Sequence, residues 1–222
     1  AFANGGYKIS PHFIEQVTSH DGTVLFKANP NTVCHNCQPV TETETETETE
    51  TETETNENQT VAVAPRIFDE KVAYLTYNIM QDVIKRGTGT KARVLNRTDI
   101  AGKTGTTNDQ KDAWFSGFNK DHVATAWVGF DQPTTLGRRE FGGTAALPIW
   151  IDFMREALNG TPENAPAPPE GIVSVKIDPK TGQLAYPGQA DAVFEFFREE
   201  NVPTGFAAPS SLSNKNQAED LF

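Results

Sequence analysis

Between residues 69 and 130 the apolar pattern changes its period, and that change limits the fold more than any other feature of the chain. From 69 to 86, apolar residues fall at Val72, Leu75, Ile79 and Val83, with Tyr74, Met80 and Ile84 beside them. That spacing is near 3.6 and predicts an amphipathic helix ending at Gly87, with Pro65 and Asp69 suited to the stretch before its first turn. Three short runs follow, around 100–106, 113–118 and 123–130, separated by polar turn residues; they read as strands. Residues 142–158 read as a second helix with Pro148 as an early interruption, ended by Asn159-Gly160-Thr161-Pro162. Upstream, two β-rich runs flank His20-Asp21-Gly22, a hairpin signal, and residues 1–6 read as a helix end closing on two glycines. Two strands, a helix, three strands and a helix together predict an α+β chain, with an antiparallel five-stranded sheet packed by helices.

The first of the three central runs holds Gly102-Lys103-Thr104-Gly105-Thr106-Thr107. It sets an ammonium, two hydroxyls and a position without a side chain in four consecutive residues. Such a strand can hold an anionic acyl substrate along a sheet edge: Gly105 lets a peptide backbone come close, and the hydroxyls of Thr104 and Thr106 can donate to a carboxylate. Two phosphate motifs are excluded. A P-loop needs Gly five positions before the Gly-Lys-Thr, where this chain has Arg97, and no glycine lies between them. A phosphorylated-aspartate ATPase places its Asp directly before Lys-Thr-Gly-Thr, where this chain has Gly102.

The flanks are more specific than the motif. Gln81-Asp82-Val83-Ile84-Lys85-Arg86-Gly87-Thr88-Gly89 precedes it. Lys111-Asp112-Ala113-Trp114-Phe115-Ser116-Gly117-Phe118, Val123-Ala124-Thr125-Ala126-Trp127-Val128-Gly129-Phe130-Asp131 and Gly142-Gly143-Thr144-Ala145-Ala146-Leu147-Pro148-Ile149-Trp150 follow. In this order the chain resembles the C-terminal part of the transpeptidase domain of class A (bifunctional) penicillin-binding proteins, a family whose serine-enzyme motifs include K-T-G. The resemblance covers residues 1–160 apart from one insert, and 171–204 more loosely. It implies a penicillin-binding protein/β-lactamase-like fold with the Lys103 strand at one sheet edge. It implies a serine DD-transpeptidase that cross-links D-Ala-D-Ala stem peptides and binds β-lactams, with no metal or organic cofactor. Substrate binding falls to Lys103, Thr104, Gly105, Thr106 and Thr107. Lys103 would also place charge near the nucleophile, and the Thr106 backbone N–H would be an oxyanion donor.

The nucleophile is absent. Ser10, Ser19, Ser116, Ser174, Ser210, Ser211 and Ser213 are the serines; none has Lys three residues on, and none has Asn two residues on. In the resembled family those motifs lie upstream. The chain is therefore expected to contribute one wall of a site and to be inactive alone, with the N-terminal remainder of the parent chain as its first partner. A non-catalytic scaffold of the same fold, or a DD-carboxypeptidase, are the alternatives.

Net charge is −11, but seven Thr-Glu pairs fill residues 41–54 and Glu57 follows; without those eight glutamates the balance is −3. No basic stripe exists, which argues against nucleic acid. No run of eighteen apolar residues exists either; the resemblance implies membrane attachment through an N-terminal anchor outside this chain, at the periplasmic face of a bacterial inner membrane. The expected organisation is 1–28 and 61–160 as transpeptidase portion, 29–60 as a disordered Thr/Glu-rich insert, 161–171 as a Pro-rich linker, 172–205 as a small β-hairpin extension and 206–222 as a disordered tail. Cys34 and Cys37 have C-x-x-C spacing; with no second cysteine pair to complete a zinc site and no thioredoxin-like context, a local disulfide is the expectation. Trp114, Trp127 and Trp150 are expected in core packing, Gly87-Thr88-Gly89 as a helix stop plus turn with contact with the site floor as the alternative, and Arg138 and Arg139 on a solvated loop.

Overall fold

The computed structural model describes residues 1–33 and 63–209, in two compact units, Ala1–Asp69 and Glu70–Phe222. The Thr-Glu tract, Cys34 and Cys37, and the end of the chain from Ser210 lie outside the described residues.

The first unit holds a hairpin of β1 (Gln16–Thr18) and β2 (Val24–Lys27), antiparallel with Val17 opposite Phe26. Its turn is closed by Asp21, whose carboxylate accepts from the Ser19 hydroxyl and from Thr23 N at 3.2 Å, and Gly22 takes a φ of 87° that suits a residue without Cβ. The expected helix end at the start is a single 3-10 turn, Phe2–Asn4, stopped by left-handed Gly5.

The second unit opens with α1 (Glu70–Lys85). The helix is where its period placed it, but its buried face is offset. Ala73, Tyr77, Gln81 and Ile84 form the buried stripe with Tyr74, whereas Val72 is 38% and Ile79 67% exposed. The reason is polar: the Tyr77 hydroxyl donates to the Asp99 carbonyl at 3.0 Å, and Gln81 Nε2 to the Thr98 carbonyl at 2.6 Å and to the Tyr77 hydroxyl at 2.9 Å. Those bonds dock the helix onto the segment that enters the sheet. Burial pushes the Tyr77 phenol well above its ordinary pKa, helped by the nearby Asp99 charge, so it stays a donor.

The sheet is β3 (Ala101–Thr106), β4 (Asp112–Phe118) and β5 (Val123–Gly129), antiparallel in the order β3-β4-β5. The sequence suggested five strands in one sheet; among the described residues this ladder has three, and β1 and β2 pair only with each other. Both hairpin strands are exposed throughout, so neither offers an apolar face that would select a place in the larger sheet.

One face of the sheet is the core. Ala113, Phe115 and Ala126 pack with α2 (Leu147–Ala157), chiefly through Trp150, whose ring meets Phe115 edge-on at 4.9 Å. Gly117 is needed beneath that indole, because a Cβ there would lie 2.6 Å from Trp150 Cζ2. Trp150 is 1% exposed, as core packing requires, but Trp114 and Trp127 stand on the other face, 40% and 44% exposed, with ring centroids 5.8 Å apart. A turn of π-helix, Gly142–Ala146, leads into α2, and Pro148 occupies the first turn of α2.

Residues beyond α2 return to the same unit. Arg97 donates to the carbonyl of Thr161 at 2.7 Å, and Glu163 accepts from Thr98 N at 3.1 Å. β6 (Ile172–Ile177) and β7 (Val193–Arg198) then pair antiparallel. The Asp178 turn forms, with its carboxylate accepting from Lys180 N and Thr181 N, but β7 begins only at Val193. Of the Phe194, Phe196 and Phe197 patch, Phe196 sits edge-on against Tyr74 of α1 at 5.3 Å, while Phe194 remains exposed.

Candidate functional site

Among the described residues, β3 has β4 on one side and no strand on the other. Thr107 N donates to the Asp112 carbonyl at 3.1 Å, which fixes the phase of the ladder. Antiparallel alternation then turns the N–H and C=O of Lys103 and Gly105 towards β4, and those of Thr104 and Thr106 towards the free edge. The side chains alternate in the other sense: Thr104 and Thr106 share one face, Lys103 and Gly105 the opposite one.

A groove of about 400 Å³ lies over the threonine face. Thr104 and Thr106 line it together with Thr88, Thr90 and Lys91, from the chain just after α1, and Phe141, Gly143 and Thr144, from the turn before α2. The hydroxyls interlock with those walls. Thr88 Oγ1 and Thr104 Oγ1 are 2.8 Å apart, and Gly142 N donates to Thr106 Oγ1 at 3.0 Å. Two glycines permit this closeness. A Cβ on Gly142 would strike the Trp114 and Gly105 carbonyls, the latter at 2.6 Å, and one on Gly143 would lie 2.8 Å from the Thr88 carbonyl.

The predicted residues are brought together in part. Thr104, Gly105 and Thr106 stand at the groove or its edge. Lys103 does not line the groove: it is exposed on the opposite face, and its Nζ donates to the outward Thr104 carbonyl at 2.7 Å. The ammonium in the groove lining is that of Lys91. Thr107 lies outside; its hydroxyl accepts from Asp112 N at 2.8 Å and closes the β3–β4 turn. Arg138 and Arg139 are exposed on the loop before the π-turn. Of the other lining residues, the sequence offered Thr88 only as an alternative contact with the site floor, and Thr90, Lys91, Phe141 and Thr144 were not assigned. A signal existed for the first two, since Thr88-Gly89-Thr90 repeats the Thr104-Gly105-Thr106 pattern.

Below the groove, Arg97 and Asp99 anchor the start of β3. Asp99 is fully buried; its carboxylate accepts from Arg97 Nε at 2.8 Å and Nη2 at 2.7 Å, and from Asn164 N at 3.2 Å. Burial alone would raise this carboxyl; the bonds from Arg97, Asn164 and Asn119 and the guanidinium charge outweigh it and hold its pKa below the ordinary value. Among the described residues, no group of three or more His, Cys, Asp or Glu is placed to hold a metal ion, and no helix is long and apolar enough to cross a membrane.

An edge strand carrying Lys-Thr-Gly-Thr, with its threonines flooring a groove beside the turn that leads into α2, is the arrangement of a penicillin-recognising domain. The chain belongs to the penicillin binding protein transpeptidase domain family, whose model matches residues 1–155. Its relatives include penicillin-binding protein 1A of Pseudomonas aeruginosa, 51% identical over 225 residues and matched over 91% of this chain and 27% of that protein. Penicillin-binding protein 1A of Neisseria gonorrhoeae is 43% identical over 173 residues, 78% of this chain and 18% of that protein. The 2.6 Å crystal structure of penicillin-binding protein 1A from Haemophilus influenzae superposes with a TM-score of 0.77 at 35% identity, over 93% of this chain and 32% of that one. The chain thus spans about a quarter of the length of the Pseudomonas relative.

Proposed function

We propose that these residues form one wall of a serine DD-transpeptidase site in a peptidoglycan synthase. The observation that carries the reading is the groove floored by the Thr104 and Thr106 hydroxyls beside a strand edge that is unpaired among the described residues. A stem peptide ending in D-Ala-D-Ala offers a terminal carboxylate for those hydroxyls and a backbone that can pair with the outward groups of Thr104 and Thr106. A β-lactam offers the same carboxylate beside a strained amide.

Each group then has a role in acyl transfer. The Thr106 N–H, directed to the free edge, donates to the carbonyl oxygen as it gains charge. Lys103, already at that edge, places its ammonium where a serine from another part of the parent chain would attack, and assists proton movement there. Serine Oγ adds to the penultimate D-Ala carbonyl, the terminal D-Ala leaves with a proton on its nitrogen, and an amine of a neighbouring peptide later takes the acyl group and frees the serine. The reaction belongs on the periplasmic face of the inner membrane, where peptidoglycan is built.

Labelling with a fluorescent penicillin tests this. The full-length parent is expected to form a stable adduct, the isolated 222 residues none. Lys103→Ala in the parent should slow acylation by on the order of a hundredfold, the scale of a lost proton-transfer group. An adduct on the isolated chain would place the nucleophile among these residues and overturn the proposal, as would a parent that never labels.

A further inference from the structure

The two hydroxyls on the groove floor differ in what holds them, and that difference points to a residue outside the K-T-G strand. A threonine hydroxyl has one proton to give and two lone pairs to accept with. At Thr106 the accepting side is taken by Gly142 N at 3.0 Å, so its proton is free to point into the groove. At Thr104 no backbone group among the described residues is such a donor. The neighbours of Thr104 Oγ1 are Lys103 Nζ, a long 3.5 Å away, and Thr88 Oγ1 at 2.8 Å, and within the threonine pair either oxygen can be the donor.

We infer that Thr88 is a positioning residue for substrate: its hydroxyl donates to Thr104 Oγ1 whenever a carboxylate occupies the groove, and so directs the Thr104 proton onto that carboxylate. The inference rests on the carboxylate reading of the groove given above. A carboxylate only accepts, so its arrival requires a proton from Thr104. Once Thr104 donates outward, the 2.8 Å contact is retained only with Thr88 as donor. The chain Thr88 to Thr104 to carboxylate runs in one direction, and each bond polarises the next.

Thr88 is held for this task. It lies between Gly87 and Gly89, whose N–H groups both donate to the Val83 carbonyl, at 3.2 and 2.8 Å, closing α1. A Cβ on Gly87 would lie 2.8 Å from Val83 Cα, so this tight closure depends on glycine. The Thr88 carbonyl lies under Gly143, against the turn before α2. The hydroxyl therefore hangs from a rigid helix end rather than a free loop.

The test compares a penicillin bearing a free carboxylate with its methyl ester, on the full-length parent carrying Thr88→Val, Thr88→Ser, Thr88→Ala or Thr104→Val. Val keeps the shape and removes the hydroxyl; Ser restores it. The expected result is an acid-to-ester ratio of acylation efficiency lowered about five- to tenfold in Thr88→Val and Thr88→Ala, the scale of one hydrogen bond between neutral groups, and restored in Thr88→Ser. Thr104→Val should lower the ratio at least as far. If Thr104→Val lowers it while both hydroxyl-free Thr88 variants keep it, the inference fails and the carboxylate reading stands. If Thr88→Val slows acid and ester equally, Thr88 is merely structural and the inference also fails. If Thr104→Val leaves the ratio unchanged, the carboxylate reading itself is overturned.

Discussion

At the scale of single residues, Asp99 is the most exacting position outside the groove. A carboxylate with no solvent contact stays ionised chiefly because the Arg97 guanidinium meets it with two hydrogen bonds, with Asn164 N and Asn119 adding to them. The pair sits directly before β3, where Tyr77 and Gln81 hold the carbonyls of Asp99 and Thr98, so it fixes where the K-T-G strand begins. Replacing Arg97 by Met should leave the carboxylate buried without its partner and destabilise the protein by about 3 kcal/mol at pH 7. The pH dependence has a definite sign. The folded pKa of Asp99 is lowered, so its contribution is whole above the unfolded value of about 3.9 and is lost as pH falls towards the folded value. Urea unfolding at pH 7 and pH 3 checks this: the gap between wild type and Arg97→Met should narrow at the lower pH. A gap of equal size at both would assign the loss to packing and to the severed Thr161 and Pro162 carbonyl bonds.

At the scale of elements, the π-turn Gly142–Ala146 does more than lead into α2. Gly142 lies on the backbone of Gly105 and Trp114 and gives its N–H to Thr106, so one residue fixes the distance between the turn and the strand. Gly142→Ala would press a methyl onto two backbone carbonyls, which cannot rotate aside as a side chain would. A destabilisation of about 3 kcal/mol is expected, at the upper end for overpacking, together with loss of the Thr106 bond. Thermal unfolding measures the first, and slower penicillin acylation of the full-length parent reports the second. A variant with unchanged melting and labelling would show that the turn is not so constrained. The π-turn was read from sequence as ordinary helix, because its Gly-Gly-Thr-Ala-Ala carries no periodic signal. By contrast α1 and the three central strands were legible, since period depends only on local burial. The buried face of α1 was not, because Tyr77 and Gln81 count as polar in a pattern yet are buried on distant carbonyls. The pairing of β1 and β2 with each other alone, among the described residues, was equally hidden: strand pairing is a long-range choice, and exposed strands of three and four residues carry little register information.

At the scale of the whole molecule, what the sequence exposed of the site was one strand of it. Lys103, Thr104, Gly105 and Thr106 could be read because they are consecutive, whereas Thr88, Lys91, Phe141 and Thr144 reach the same groove only through the packing of α1 and the π-turn around the sheet. The acidity of the chain is a separate matter, written mostly into the Thr-Glu tract. The described residues flanking that tract meet: Thr32 bridges Val63, and Ala64 N donates to the Thr32 carbonyl at 2.9 Å. A segment whose ends are already joined can be shortened without moving its anchors, and halving a loop relieves only about 0.6 kcal/mol of closure entropy. Deleting residues 41–54 removes seven glutamates and takes the net charge from −11 to −4. The expected outcome is a melting temperature unchanged or slightly raised, much weaker retention on an anion exchanger, and unaltered penicillin labelling of the full-length parent. Loss of labelling, or a fall in melting temperature of several degrees, would mean that the tract acts on the site or the fold beyond its charge.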